Sequence, residues 1–166
     1  MKTLAFLIST LLLLLFWNCS NPQKKEITTT LNTFFKSKND FRTIDKALMT
    51  KDLASLIQKA LEREALEVEK IKNSKFPTDK PLCIEGDVFS SLYEGQDSLK
   101  ILEIKINGTK ATALLEFTNT QYKETWKDEV ILLNENGWKI DNVFFKGNEP
   151  TSNSTKELLL NLINFK

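Results

Sequence analysis

A chain of 166 residues, 41% hydrophobic, is one domain's worth of polypeptide and can bury a core without metal or disulfide staples. It contains no histidine, which excludes a histidine general base, a Ser-His-Asp or Cys-His nucleophile and a histidine metal site. Its 23 basic and 22 acidic side chains balance, which argues against nucleic acid, a partner that selects a basic face. No glycine-rich phosphate loop, Cys-x-x-Cys pair or zinc spacing occurs, so neither a cofactor nor a metal is expected.

Residues 1–18 read as a signal peptide. Lys2 supplies a positive charge, and Leu4 to Trp17 is almost wholly apolar. At 1.5 Å per residue that run rises about 21 Å, short of a ~30 Å hydrocarbon core, so it is a signal core rather than a membrane span. The bonds after it lack the small residues that ordinary signal peptidase needs. Cys19 closes the run and polar Ser20-Asn21-Pro22-Gln23 follows. This resembles a bacterial lipoprotein signal, whose cysteine thiol is acylated, by palmitate among other chains, and becomes the first mature residue. The bulky Phe16, Trp17 and Asn18 depart from the usual small residues and are closer to the looser signals of the Bacteroidetes type. The resemblance implies an exported protein, lipid-anchored through Cys19 in the cell envelope, on the outer membrane or facing the periplasm. Loss of Lys2 with the leader makes the mature charges equal, so a neutral body gains nothing from anionic lipid. Cys83, in the apolar run Pro81-Leu82-Cys83-Ile84, then has no cysteine partner and reads as a buried, inert thiol.

Residues 19–25 read as a tether. From Glu26 to Lys38, the apolar residues Ile27, Leu31, Phe34 and Phe35 share one helical face. A short helical turn is expected over Ile44 to Leu48. Thr50 is a good N-cap for a long helix over 51–73, with an apolar stripe of Leu53, Leu56, Ile57, Ala60, Leu61, Ala65, Val68 and Ile71. Its opposite face, Lys59, Glu62, Arg63, Glu67 and Lys70, reads as solvated. Residues 74–97 are irregular, with a brief strand and turns; Asp87 and Tyr93 stand there beside Gly86 and Gly95, where loops often carry function.

From residue 98 the pattern alternates. A two-residue Asn107-Gly108 turn pairs Ile106 with Thr109 and Ile104 with Ala111. A three-residue turn over Glu135, Asn136 and Gly137 pairs Asn134 with Trp138, Leu132 with Ile140, Val130 with Asn142 and Asp128 with Phe144. The result is a four-stranded antiparallel meander. Small Ala111 and Ala113 on its core face leave room either for the long helix or for a ligand. Ser154 to Glu157 has capping-box spacing and opens a short apolar C-terminal helix.

The stretches GTKATALLEFTN and WKDEVILLNENGWKIDNVFF, together with PTDKPLCIEGDVFSSLYEG, resemble the nuclear transport factor two-like, or cystatin-like, superfamily, and within it a bacterial lipoprotein group called domain of unknown function 3828. The resemblance covers about residues 26–147, leaving 148–166 as a C-terminal linker and helix. It implies an α+β fold in which N-terminal helices pack in a curved antiparallel sheet, a cone with a hollow. That superfamily holds enzymes and non-enzymes, so fold does not choose function.

On the expected concave face, Tyr122, Trp126, Trp138 and Phe144 form an apolar wall, interrupted by polar Asp128 and Asn142. Polar groups inside an apolar concavity are the usual make-up of a small-ligand site. With no catalytic signature, the expectation is a non-enzymatic binding module for a small apolar ligand or an envelope protein. The alternative is an acid-base enzyme of isomerase or dehydratase type, with Asp128 as base and Tyr122 or Tyr93 as donor. A structural role is open as well, with Asp128 wet or paired with a lysine and both tryptophans in the core.

Overall fold

The computed structural model describes residues 21–36, 40–147, 150 and 152–165. The leader and Cys19 lie outside the described residues. Helix α1 spans Pro22–Lys36. Asn21 accepts the Gln23 N–H through its side chain at 2.9 Å, and Pro22 fills the first helical position, where its fixed φ suits a helix start. The stretch expected as a tether is therefore helical from Pro22 onward. Thr29 satisfies its hydroxyl on the Lys25 carbonyl, and Thr30 donates to the carbonyl of Trp138 at 3.2 Å, so two of the threonines are accommodated despite weak helix propensity.

A 3-10 turn over Lys46–Leu48 leads to helix α2, Lys51–Lys72. Thr50 caps it as expected: its Oγ1 accepts the Leu53 N–H at 3.2 Å and donates to Asp141 at 2.9 Å. The apolar stripe is used only in part. Leu53, Ile57 and Ala60 are buried, whereas Val68 is 48% exposed and Glu64 and Glu67 are buried. Glu67, expected on the solvated face, instead pairs with Arg63 at 3.0 Å. Residues 74–97 contain no strand.

Strands β1 (Ser98–Asn107), β2 (Lys110–Asn119), β3 (Glu124–Asn134) and β4 (Trp138–Phe145) form the meander in sequence order. The first hairpin turns one residue later than expected, over Gly108-Thr109, so Ile106 pairs with Ala111 and Ile104 with Ala113. Only Gly108 of the two turn residues has positive φ, +59°, the demand of a II′ rather than a I′ turn. The shift is two residues in register, so the apolar faces survive. The second hairpin closes as expected, Asn134 on Trp138 and Leu132 on Ile140. A bulge at Ile131/Leu132 then moves the pairing, so Val130 meets Val143 and Asp128 meets Phe145.

Helix α1 packs on β1 and β4 and so crosses β2 and β3. Ala111 and Ala113 on β2 are buried, and the long helix makes its main sheet contact on β4 rather than there. Phe35 meets Phe117 at 5.1 Å between ring centroids, and Phe34 meets Phe89 at 5.0 Å. Helix α2 lies instead along β4 and the C-terminal helix α3, Thr155–Ile163. Ser154 caps α3 on the Glu157 N–H at 3.3 Å. The outer edge of β4 is covered twice: Thr50 N–H bonds the Ile140 carbonyl, and Phe145 N–H bonds the Asn153 carbonyl. The fold is α+β, with helices before and after a four-stranded antiparallel sheet.

Candidate functional site

Asp128 is 0% exposed, and four donors surround its carboxylate. Ser91 N–H reaches Oδ2 at 2.9 Å, Trp126 Nε1 reaches the same oxygen at 3.0 Å, and Lys146 N–H reaches Oδ1 at 2.8 Å. The Ser91 hydroxyl also bonds Oδ1, while accepting the Gly147 N–H at 3.0 Å. A buried carboxylate is tolerable when donors replace its water. Asp128 is thus neither wet nor lysine-paired; it fastens the loop at Ser91 and the chain after β4 to β3.

That loop builds one wall of a groove. Arg42 holds its start by donating to Glu64 on α2 through Nη2 at 2.7 Å and Nε at 3.0 Å, and to the Ile84 carbonyl at 2.9 Å. Glu64 also accepts the Ile84 N–H at 2.8 Å. The backbone then folds back on itself: Asp87 N–H bonds the Tyr93 carbonyl at 2.8 Å, and Gly95 N–H bonds the Leu92 carbonyl at 2.9 Å. Gly86 sits at φ +79°, and the Tyr93 ring lies so close that a Cβ there would meet it at 2.7 Å. Only glycine meets both conditions.

The opposite wall is the β2–β3 turn. Asn119 Nδ2 donates to the Gly95 carbonyl at 2.7 Å, its Oδ1 accepts the Tyr122 N–H at 3.2 Å, and Asp97 accepts the Thr120 N–H at 2.6 Å. Between the walls lies an open groove of about 650 Å³, lined by Asp40, Arg42, Asp87, Glu94, Asp97, Gln96 and the two tyrosines, among others. Tyr93 and Tyr122 are 54% and 48% exposed, and Gln96 Oε1 is buried without a hydrogen-bond partner.

Asp87 is the titratable group of interest. Burial raises its pKa from 3.8 to about 6; the Phe89 N–H, donating to Oδ1 at 2.6 Å, lowers it, and the negative charge of Asp128 raises it further. The other oxygen, Oδ2, lies against Gly95.

The residues expected to share a concave wall separate. Trp126 and Asp128 stay together, joined by their hydrogen bond. Trp138 is in the core, 2% exposed. The bulge reverses the alternation along the end of β4: Val143 and Phe145 face inward opposite Val130 and Asp128, which turns Asn142 and Phe144 to the other side. There Asn142 Oδ1 accepts the Lys156 N–H of α3 at 3.0 Å, and the Phe144 ring lies under the Lys146 ammonium at 5.6 Å. Tyr122 leaves the strand for the groove. Of the loop residues, Asp87 and Tyr93 line the groove as well. Asp40, Arg42 and Asn119 escaped sequence reading, since nothing local joins a helix exit, a loop and a distant turn.

Cys83 is a free thiol but only partly buried. Among the described residues, no three acidic or cysteine side chains gather to hold a metal ion, and no helix is long and apolar enough to cross a membrane. Comparison of the chain with family models, with curated proteins and with solved structures returns no match.

Proposed function

We propose that the chain is an exported lipoprotein, held on a bacterial envelope membrane by acyl chains on Cys19, whose folded part is a binding module. Two or more acyl chains hold a protein durably on a bilayer. The finer fold reading, a nuclear transport factor two-like cone, is supported by the helix-then-meander order and by α1 seated across the sheet. The interior expected to hold an apolar ligand is filled by Phe34, Phe35, Phe89 and Phe117.

The binding surface is therefore the groove, and the observation that carries this is its pair of exposed tyrosines among four lining carboxylates. Asp40, Asp87, Glu94 and Asp97 outnumber the single Arg42 among the lining residues. Carboxylates with aromatic faces suit amine or guanidinium groups, through charge and cation–π attraction. The partner is a basic segment of an envelope protein. Titration of the full chain with a short Lys/Arg peptide should give saturable binding that the double variant Tyr93→Ala/Tyr122→Ala weakens at least tenfold. Equal binding by the variant, or preference for an acidic peptide, would overturn the assignment.

One observation favours the acid-base alternative: the Asp87 carboxyl titrates at about 6, in the range of a general base working near neutral pH. In that reading Asp87 takes the place of Asp128, which has no exposed surface.

A further inference from the structure

An antiparallel meander sorts its turns by end, with the β1–β2 and β3–β4 turns at one and the β2–β3 turn at the other. Asn134 N–H bonds the Thr109 carbonyl at 2.8 Å and holds the first two turns side by side. Both helix starts join them. Glu26 of α1 accepts the Trp138 N–H at 3.2 Å, and Glu135 of the second turn accepts the Lys51 N–H of α2 at 3.2 Å. The groove lies at the opposite end, on the β2–β3 turn. Strand β2 runs the whole way from Lys110 to Asn119, which at ~3.3 Å per residue is about 30 Å.

The chain leaves the turn end within three residues of Cys19. Extended residues span at most about 3.6 Å each, so an acylated Cys19 holds the start of α1 within about 11 Å of the membrane surface. Charge is sorted along the same axis. Lys24, Lys25, Lys51 and Lys110 are all exposed at the turn end. Asp52 and Glu26 are exposed there too, Glu26 with one oxygen on the Trp138 N–H, and half-buried Glu135 accepts the Lys51 N–H. At the groove end four carboxylates line the groove beside Arg42, with Lys123 exposed on the β2–β3 turn. Surface fields decay within about a Debye length, ~8–10 Å, so headgroups reach the lysines and not the groove. A chain of balanced charge can therefore still engage anionic lipid, contrary to the expectation from net charge alone.

We infer that the domain stands on its paired-turn end, its lysines against anionic headgroups, and presents the groove away from the membrane. This rests on the lipid anchor proposed above. The test uses the full, processed chain in vesicles of phosphatidylglycerol and phosphatidylcholine carrying a headgroup nitroxide lipid. A fluorophore is placed on Thr109→Cys or on Gln121→Cys, each in a Cys83→Ser background. Quenching should be at least fivefold stronger at position 109 than at 121, and should fall at 109 when Lys24, Lys25, Lys51 and Lys110 are replaced by Gln, with the protein still attached. Vesicle-bound protein with equal quenching at both positions, or more at 121, rejects the orientation and leaves the anchor standing. Quenching at 109 that is unchanged in the lysine variant rejects the headgroup contact. Protein that stays in the aqueous fraction, like a Cys19→Ala control, removes the anchor and this inference with it.

Discussion

Two aspartates close together in space follow opposite physics. Asp128 has its solvation replaced by two backbone N–H groups, a hydroxyl and an indole N–H. Hydrogen bonds to a charged group contribute about 1.5–3 kcal/mol each, so Asp128→Ala should destabilise the fold by at least about 3 kcal/mol, read as a lower urea midpoint; a loss under 1 kcal/mol would contradict the assigned role. Asp87 is half-buried with less compensation, and desolvation pushes its carboxyl up from 3.8 to about 6. The folded chain therefore keeps a proton that the unfolded chain releases between pH 4 and 6. Stability falls as pH rises through that window, by on the order of 2 kcal/mol after allowance for partial exposure. Asp87→Asn should accordingly raise the urea midpoint at pH 7.5 and leave it nearly unchanged at pH 4, and an equal shift at both would refute the cause. Gly86→Ala adds a Cβ at φ +79° facing the Tyr93 ring. It should cost about 1–3 kcal/mol and show in Tyr93 ring resonances before the rest of the sheet.

At the scale of elements, helices and strands were legible because their periods differ. Thr50, Ser154 and the three-residue turn before Trp138 gave their local structure away through side-chain chemistry that acts within a few residues. The bulge at Ile131/Leu132 did not: the residue it leaves unpaired in β4, Asp141, accepts from the Thr50 hydroxyl and the Lys156 ammonium, partners remote in sequence. Its effect is to send Asn142 outward to α3, where it accepts the Lys156 N–H. Asn142→Ala should cost about 1 kcal/mol and loosen α3 selectively, seen as faster amide exchange in residues 155–163. The long helix keeps its expected cap and length, but Glu67 of the face expected to be solvated is buried while Val68 of the stripe is exposed; Glu64 is likewise held inward by Arg42 and the Ile84 N–H, partners no helical wheel contains. Asp87 and Tyr93 could be flagged from their flanking glycines, but their union with Asn119 and Tyr122 into one groove is tertiary.

For the whole molecule, the core and the groove are made by the same connections. Helix α1 crosses the sheet, and its Phe34 and Phe35 pack on Phe89 and Phe117 in the core. The groove lies at the rim, where the Asp128 hub and the Arg42–Glu64 pair hold a strand-free loop in shape. Glu64→Gln, which leaves the guanidinium only the exposed Asp40 as an anionic partner, should lower stability by about 2–3 kcal/mol and weaken cationic-peptide binding together, measured by urea titration and calorimetry; retained affinity would detach the groove from α2. The two rims of the sheet also differ. The rim at β1 is interrupted by a bulge and studded with Lys100, Glu103 and Lys105, features that discourage pairing with other chains. The rim at β4 has a bulge of its own at Asp141 and is in addition covered by Met49–Thr50 and Asn153–Ser154 lying over it. Proteolytic trimming past residue 150 would strip half of that shield from Phe144 and Phe145, and the shortened chain should self-associate into ribbon-like polymers that the intact one resists.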